Sequence, residues 1–278
     1  MDRLAPWLQA PATAGVVTDF DGTLSPIVDD PEAAVPFPGA APTLARLARR
    51  YRTVAVVSGR PVAYLVARLG PLPGVTMVGL YGLEKRERDG VHVLPEARPW
   101  QAIVAQVAAE AEAEVPPGVY VEPKGLTVGL HVRRAPEWAA WVEAWAGEQA
   151  RRTGLVVHHG KMALELVPPV DTDKGRAVND LAEGLRAVCY LGDDVGDLPA
   201  FMALARLAEA GVATLSVAVR SDESPSALLE QADVVVDGPE GALAFLQALN
   251  PRAGNADDIL RTGRGLAFRA RFCPEKDG

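Results

Sequence analysis

The stretch VVTDFDGTLSP, residues 16–26, ends an apolar run on two carboxylates one residue apart, Asp19 and Asp21, and then turns through Gly22 and Thr23. Three further groups follow the same pattern. Ser58 and Gly59 close the run VAVVSG, Lys174 stands in DTDKGRAV, and Asp193, Asp194 and Asp197 follow CYLG. Each segment reads as a polar residue delivered at the carboxyl end of a strand or the start of a helix, where ligands of open parallel sheets gather. One such Asp is a common turn or capping residue. Several together repel one another unless a cation sits among them, and oxygen ligands of this kind suit Mg2+, which shares its coordination shell with phosphate. Gly22 and Gly59 let backbone N–H groups approach an anion, Thr23 and Ser58 add hydroxyls, and Lys174 adds fixed positive charge.

The elements that must hold these groups follow from periodicity. Strand-like GVVTDF and TVAVVS alternate with helical spacing at Leu44, Leu47 and Tyr51 and at Val62, Leu65, Val66 and Leu69. This βα rhythm predicts a parallel sheet with right-handed crossovers, and it returns after residue 170 with AVCYLGDD, ATLSVAV and ADVVVDG. Between them the order is α-β-β-α-β-β, which predicts a small antiparallel sheet with two helices on one face. The expectation is an α/β fold. Residues 1–96 and 170–250 form a Rossmann-like core, residues 97–169 form an inserted α+β cap, and residues 251–278 form a loosely held tail.

The motifs DFDGTL, VVSGR, DKG and GDDVGD resemble, in order, those of the haloacid dehalogenase superfamily of phosphatases. The resemblance implies Asp19 as a nucleophile forming an aspartyl-phosphate and Asp21 as general acid and base. Ser58 and Lys174 hold the phosphoryl group. Asp19, the backbone carbonyl of Asp21, and Asp193 hold Mg2+, with Asp194 and Asp197 in support. The middle segment resembles the cap of trehalose-6-phosphate phosphatases, through VEPKGLTVGLHVRRAP and GKMALELVPP, and implies that Lys124, His131, Arg133 and Glu165 contact the sugar. GLYGLE resembles a further motif of that family, with Tyr81 where His is usual, and adds Glu84 as a residue that helps position the cap or substrate. Two positions depart from the family's last motif: Gly196 replaces threonine and Leu198 an acid.

Period-two alternation sorts the same cap residues without the resemblance. Leu126, Val128, Leu130 and Val132 share one face, and Thr127, Gly129, His131 and Arg133 the other. Met162, Leu164 and Leu166 share a face opposite Lys161, Ala163 and Glu165. The apolar faces are expected to pack on the Trp-bearing helices, and the polar face either meets substrate or is solvated.

The 278-residue chain is 49% apolar with net charge −8, which supports a sizeable core and disfavours nucleic acid as a partner. Neither Cys189 nor Cys273 has a metal-type spacing. The N-terminal residues lack a basic start followed by a long apolar run, and no segment reaches the roughly 20 apolar residues of a membrane span. The expectation is a soluble cytoplasmic protein without a membrane partner. It is expected to hydrolyse a small sugar phosphate: trehalose 6-phosphate, or alternatively sucrose-phosphate or mannosylglycerate-phosphate. A non-catalytic sugar-phosphate sensor is the other alternative.

Overall fold

The computed structural model describes residues 3–28, 33–160, 162–222 and 224–250. Lys161, Cys273 and the tail 251–278 lie outside the described residues. Two compact units are present. One comprises the chain through Val91 and again from Thr172, and the other is His92–Asp171.

The first unit is built on strands β1 (Ala14–Thr18), β2 (Thr53–Val57), β3 (Thr76–Gly79) and β4 (Glu84–Glu87), and the chain passes into the inserted unit within β5 (Gly90–Val93). The inserted unit carries β6 (Tyr120–Pro123), β7 (Val128–His131), β8 (Val156–Gly160) and β9 (Ala163–Val167). After it come β10 (Ala187–Gly192), β11 (Ala213–Arg220) and β12 (Val234–Asp237). The large sheet runs β12-β11-β10-β1-β2-β3-β4-β5. β12 through β3 are mutually parallel, and β4 turns back antiparallel on β3. The sequence pattern did not mark β3 to β5. β3 is a short Thr-Met-Val-Gly segment with Met77 and Val78 buried, and β4 reads Glu-Lys-Arg-Glu with no apolar residue.

Strand alternation splits the core into two layers, as a sheet covered on both faces requires. Val16, Val54, Val56, Cys189 and Leu191 face one layer, closed by Trp7, Leu44, Leu47, Leu65, Phe245 and Leu246. Val17, Ala55, Val57, Val188 and Tyr190 face the other, closed by Val178, Leu181, Phe201 and Leu204. The first layer takes side chains from α1 (Ala5–Gln9), α2 (Ala40–Leu47), α3 (Val62–Leu69) and α9 (Gly238–Ala248). The second takes them from α6 (Lys174–Leu181), α7 (Leu198–Glu209) and α8 (Ser226–Gln231). Burial pushes the Cys189 thiol up to about 12, so it is an inert core group.

The inserted unit carries α4 (Gln101–Glu114) and α5 (Ala139–Thr153) with the antiparallel sheet β6-β7-β9-β8. Val128, Leu130, Val132, Leu164 and Leu166 pack with Val104, Val107, Val142 and Trp145, as the alternation predicts. Met162 departs from it. It lies before β9 with φ 55 and is exposed, because the turn into the strand breaks the two-residue period. The compact unit begins at His92 and ends at Asp171, a few residues wider on each side than the change of periodicity at 97–169.

Helices α6 and α7 approach closely at Gly175, where an added methyl would lie 2.4 Å from the Pro199 carbonyl oxygen. At an open helical site Gly→Ala adds about 0.5–1 kcal/mol of stability. Here the neighbour is backbone, and Gly175→Ala is expected instead to destabilise by roughly 1–3 kcal/mol, read as a lower urea midpoint at unchanged slope.

Candidate active site

β1 and β10 are adjacent and parallel, with Thr18 opposite Leu191, so their carboxyl ends release Asp19 and Asp193 side by side. The Asp19 N–H donates to the Leu191 carbonyl at 2.9 Å, which carries the pairing one residue past the strand. Lys174 is the first residue of α6, whose N-cap Asp173 accepts from the Arg176 N–H. Its ammonium lies 3.0 Å from Asp19 Oδ1 and 2.7 Å from Asp197 Oδ1, with all three side chains almost wholly buried.

Asp197 is the hub of this array. Oδ1 accepts from Lys174 and, at 2.6 Å, from the Tyr190 hydroxyl. Oδ2 accepts from the N–H groups of Asp193 (2.8 Å) and Asp194 (3.1 Å). The Asp194 side chain accepts from Gly196 N–H and forms a reciprocal capping box with Asp197, each side chain on the other's backbone N–H. With both oxygens of Asp197 engaged, the carboxylates left to hold a cation are Asp19 and Asp193. Asp19, Asp193 and Asp197 each place an oxygen within 4.8 Å of the others. Thr23 Oγ1 reaches Asp193 Oδ1 at 3.3 Å. Gly22 has φ 72, and a Cβ there would fall 1.9 Å from Asp193 Oδ2, so only glycine lets this turn lie against that carboxylate.

The electrostatics fit a cation. Burial raises Asp19 well above the usual carboxylate range; Lys174 opposes this, while Asp197, Asp193 and Asp194 add to it. Burial pushes Asp193 up to about 8, with the Asp197 and Asp194 charges adding, against Lys174 and the Thr23 hydroxyl. For Lys174 burial alone would lower the value, but the surrounding acids, led by Asp19 and Asp197, outweigh it and hold it well above the usual range. The ammonium offsets only part of what burial does to these two acids, and a cation bound by oxygen ligands would lower both further.

Ser58 follows β2 and is buried. Its Oγ accepts from Arg60 N–H at 3.1 Å, and its carbonyl accepts from Tyr81 N–H. Leu80 and Tyr81 are non-glycine residues at positive φ, 50 and 57, held there by bonds to the Arg60 and Ser58 carbonyls. A Cβ at Gly59 would meet the Tyr81 hydroxyl at 2.5 Å, so Tyr81, the departure from the family's histidine, lies over the Ser58–Gly59 turn. The Glu84 carboxylate accepts from Val62 N–H at 2.8 Å, at the start of α3. Of the two departures after Asp194, Gly196 leaves room beside Asp194 Oδ1 and Leu198 packs on the second core layer.

Sequence reasoning missed Arg60 and Tyr190 as parts of this site. Arg60 forks onto Asp21, with Nε to Oδ2 at 2.8 Å and Nη2 to Oδ1 at 3.0 Å. The motif SGR contains the arginine, but nothing in its spacing reveals its partner.

Within the inserted unit, Gly129 of β7 pairs with Glu122 on one side and Glu165 on the other. Having no side chain, it leaves room between two carboxylates, and His131 and Lys124 fill it. His131 Nε2 lies 2.8 Å from Glu122 Oε2, and Lys124 Nζ lies 3.5 Å from Glu122 and 3.2 Å from Glu165. Thr127 donates to Glu165 at 2.5 Å. Lys124, His131 and Glu165 are thus one network, with Glu122 as a member the alternation did not reveal. Arg133 lies beyond the end of β7 and is exposed.

A family model described as trehalose-phosphatase matches residues 17–234. The chain belongs to the trehalose-phosphatase family. Relatives named trehalose-phosphate phosphatase include one from Mycobacterium avium, 40% identical over 200 residues, covering 68% of this chain and 51% of the relative. Another, from Mycobacterium marinum, is 41% identical over 204 residues with the same coverage. The chain spans about half the length of these curated relatives. The crystal structure of Aspergillus fumigatus trehalose-6-phosphate phosphatase is 27% identical, with a TM-score of 0.61 over 89% of this chain and 96% of that one. A haloacid dehalogenase-like hydrolase from Bacteroides thetaiotaomicron, 18% identical with a TM-score of 0.55 over 84% of this chain and 98% of that one, shares the fold. Among the described residues of this trehalose-phosphatase family member, no helix is long and apolar enough to cross a membrane.

A carboxyl whose folded-state pKa is raised binds its proton more tightly folded than unfolded, so folding stability falls as pH rises through the interval. For Asp193 that interval runs from 3.8 to about 8. Asp193→Asn is therefore expected to be more stable than the parent in chelator, by more at pH 8 than at pH 5. Added Mg2+ is expected to raise the thermal midpoint of the parent and not of the variant. Scanning calorimetry at both pH values, with and without metal, checks this.

Proposed function

We propose that this chain hydrolyses trehalose 6-phosphate to trehalose and inorganic phosphate. The observation that supports this best is the buried Asp19–Lys174–Asp197 array at the ends of β1 and β10, in a member of the trehalose-phosphatase family. Asp19 attacks phosphorus, and the bond from phosphorus to the sugar oxygen breaks as Asp21 gives that oxygen a proton. Asp21 then takes a proton from water, the water oxygen attacks phosphorus, and the bond to Asp19 breaks to release phosphate. Two shorter barriers replace one of the slowest uncatalysed hydrolyses.

Lys174, Ser58, Thr23 and the N–H groups about Gly22 and Gly59 bind the phosphoryl oxygens and stabilise charge as it moves. Asp19, the backbone carbonyl of Asp21, and Asp193 hold Mg2+, with Asp194 and Asp197 in support. When bound, the ion neutralises phosphoryl charge and keeps the nucleophile ionised. Lys124, His131, Arg133 and Glu165 bind sugar hydroxyls, and a sugar lacking the matching hydroxyls leaves such groups unpaired. Glu84 acts through the start of α3, where it holds the Val62 N–H.

Phosphate release across disaccharide and monosaccharide phosphates, with Mg2+ and with chelator, tests the assignment. Trehalose 6-phosphate is expected to lead, and preferential turnover of another sugar phosphate would replace it. Asp19→Asn is expected to abolish turnover with unchanged circular dichroism, since an amide cannot form the phosphoenzyme.

Glu165→Ala is expected to lower kcat/KM for trehalose 6-phosphate while leaving 4-nitrophenyl phosphate hydrolysis near the parent value. Equal losses on both substrates would assign Glu165 to the fold of its unit.

A further inference from the structure

The Asp21 side chain is held by an assembly that the chemistry above does not use. Arg60 contacts both carboxylate oxygens. Its side chain is 11% exposed, against 38% for Asp21, so the arginine is the fixed partner and the acid the open one. The guanidinium lies 4.5 Å from the centroid of the Tyr64 ring, and Arg68 lies 5.0 Å from the same ring. Arg60 precedes α3, Tyr64 lies in its first turn and Arg68 in its last, so the four-residue spacing brings both guanidiniums to the one ring. Phe20, the residue between the two acids, meets Tyr64 edge-on at 6.1 Å. The Tyr64 hydroxyl contacts the Ala34 carbonyl at 3.4 Å. The backbone of Arg60 is fixed as well, with its N–H on Ser58 Oγ and its carbonyl accepting from Leu80.

We propose that Arg60, carried on the Tyr64 ring, is a positioning residue that aims the open edge of Asp21 at the reacting oxygen. The proposal rests on the reading of Asp21 as the group that moves the proton. A carboxylate has about four lone-pair sites. A bidentate arginine takes one on each oxygen and has no acceptor of its own. A proton carried by Asp21 is therefore carried on the edge facing away from Arg60, and it cannot pass to the arginine. A lysine could not impose this orientation, because an ammonium is a point donor without a planar fork. More than a third of the Asp21 side chain is exposed, and the two-point contact with Arg60 defines its rotamer. Glu84 joins the same assembly by holding the first N–H of α3.

The test uses 4-nitrophenyl phosphate, whose leaving group departs without a proton, so that Asp21 is needed only to hydrolyse the phosphoenzyme. Arg60→Met is expected to keep a burst of one equivalent of nitrophenolate and then turn over roughly 10²-fold more slowly, the scale of loss from about 1 Å of misplacement. Arg60→Lys is expected to recover only a small part of that loss. Tyr64→Leu is expected to show the same burst-then-slow pattern in weaker form. In the Asp21→Asn background, Arg60→Met is expected to cost nothing further, since two residues acting through one group are non-additive. A multiplicative loss in the double variant, or loss of the burst together with turnover, would overturn the proposal and place Arg60 on the phosphoryl group. Full activity of Arg60→Lys would overturn the requirement for the fork. Should Asp21→Asn alone turn over normally, the reading of Asp21 fails, which is a separate outcome. If Arg60→Met does not fold, as judged by circular dichroism, Arg60→Lys and Tyr64→Leu carry the decision by the same two readouts.

Discussion

A lysine ammonium buried between two carboxylates is the constraint on which the rest of the core depends. Lys174, Asp19 and Asp197 are taken out of water together, and a charge in such surroundings is tolerated only when it is paired and hydrogen-bonded. The requirement fixes three elements relative to one another: the end of β1, the start of α6 and the loop after β10. The same requirement explains why Asp197 is completely enclosed by donors. Losing any of Lys174, Tyr190 or the two N–H groups would leave a buried carboxylate lone pair unmet.

The packing around this group is arranged to permit it. Tyr190 faces the second core layer, its ring edge-on to Phe201 at 6.3 Å, while its hydroxyl reaches Asp197. Its neighbours Cys189 and Leu191 face the opposite layer. One strand thus presents a purely apolar surface to one side and an apolar ring with a polar tip to the other. Gly175 lets α7 approach the start of α6, and Gly22 lets the turn after Asp21 lie on Asp193. Both are close approaches that a side chain would prevent, one set by helix packing and the other by the carboxylate itself.

The inserted unit solves a similar problem on an antiparallel sheet. Two carboxylates from neighbouring strands, Glu122 and Glu165, face a glycine on the strand between them. The space is filled by a cation and an imidazole rather than by an apolar side chain. These groups interact at 2.8 to 3.5 Å, so changing one alters the hydrogen bonding of the others. A face that periodicity describes only as polar is thereby a connected network with defined partners.

By itself the sequence determined what repeats or stands at a strand end. Apolar runs and helical spacing were enough for the βα order and for the inserted α-β-β-α-β-β segment. They also put Asp19, Ser58 and Asp193 at carboxyl ends of parallel strands and Lys174 at a helix start, because those positions follow from where a run stops. The two faces of β7 followed from its period of two, and the same reading of β9 failed at Met162, where the turn before the strand interrupts it. What the tertiary structure alone decided is pairing across distance. Arg60 and Asp21 are 39 positions apart, Lys174 and Asp197 are 23 apart, Lys124 and Glu165 are 41 apart, and Glu122 reaches His131 by strand pairing. Strand β4 is likewise decided by the strand it joins, β3, since a charged four-residue segment has no apolar pattern of its own. Hydrogen-bond partners are chosen by which backbones the packed layers bring within about 3 Å, and no local spacing encodes that choice.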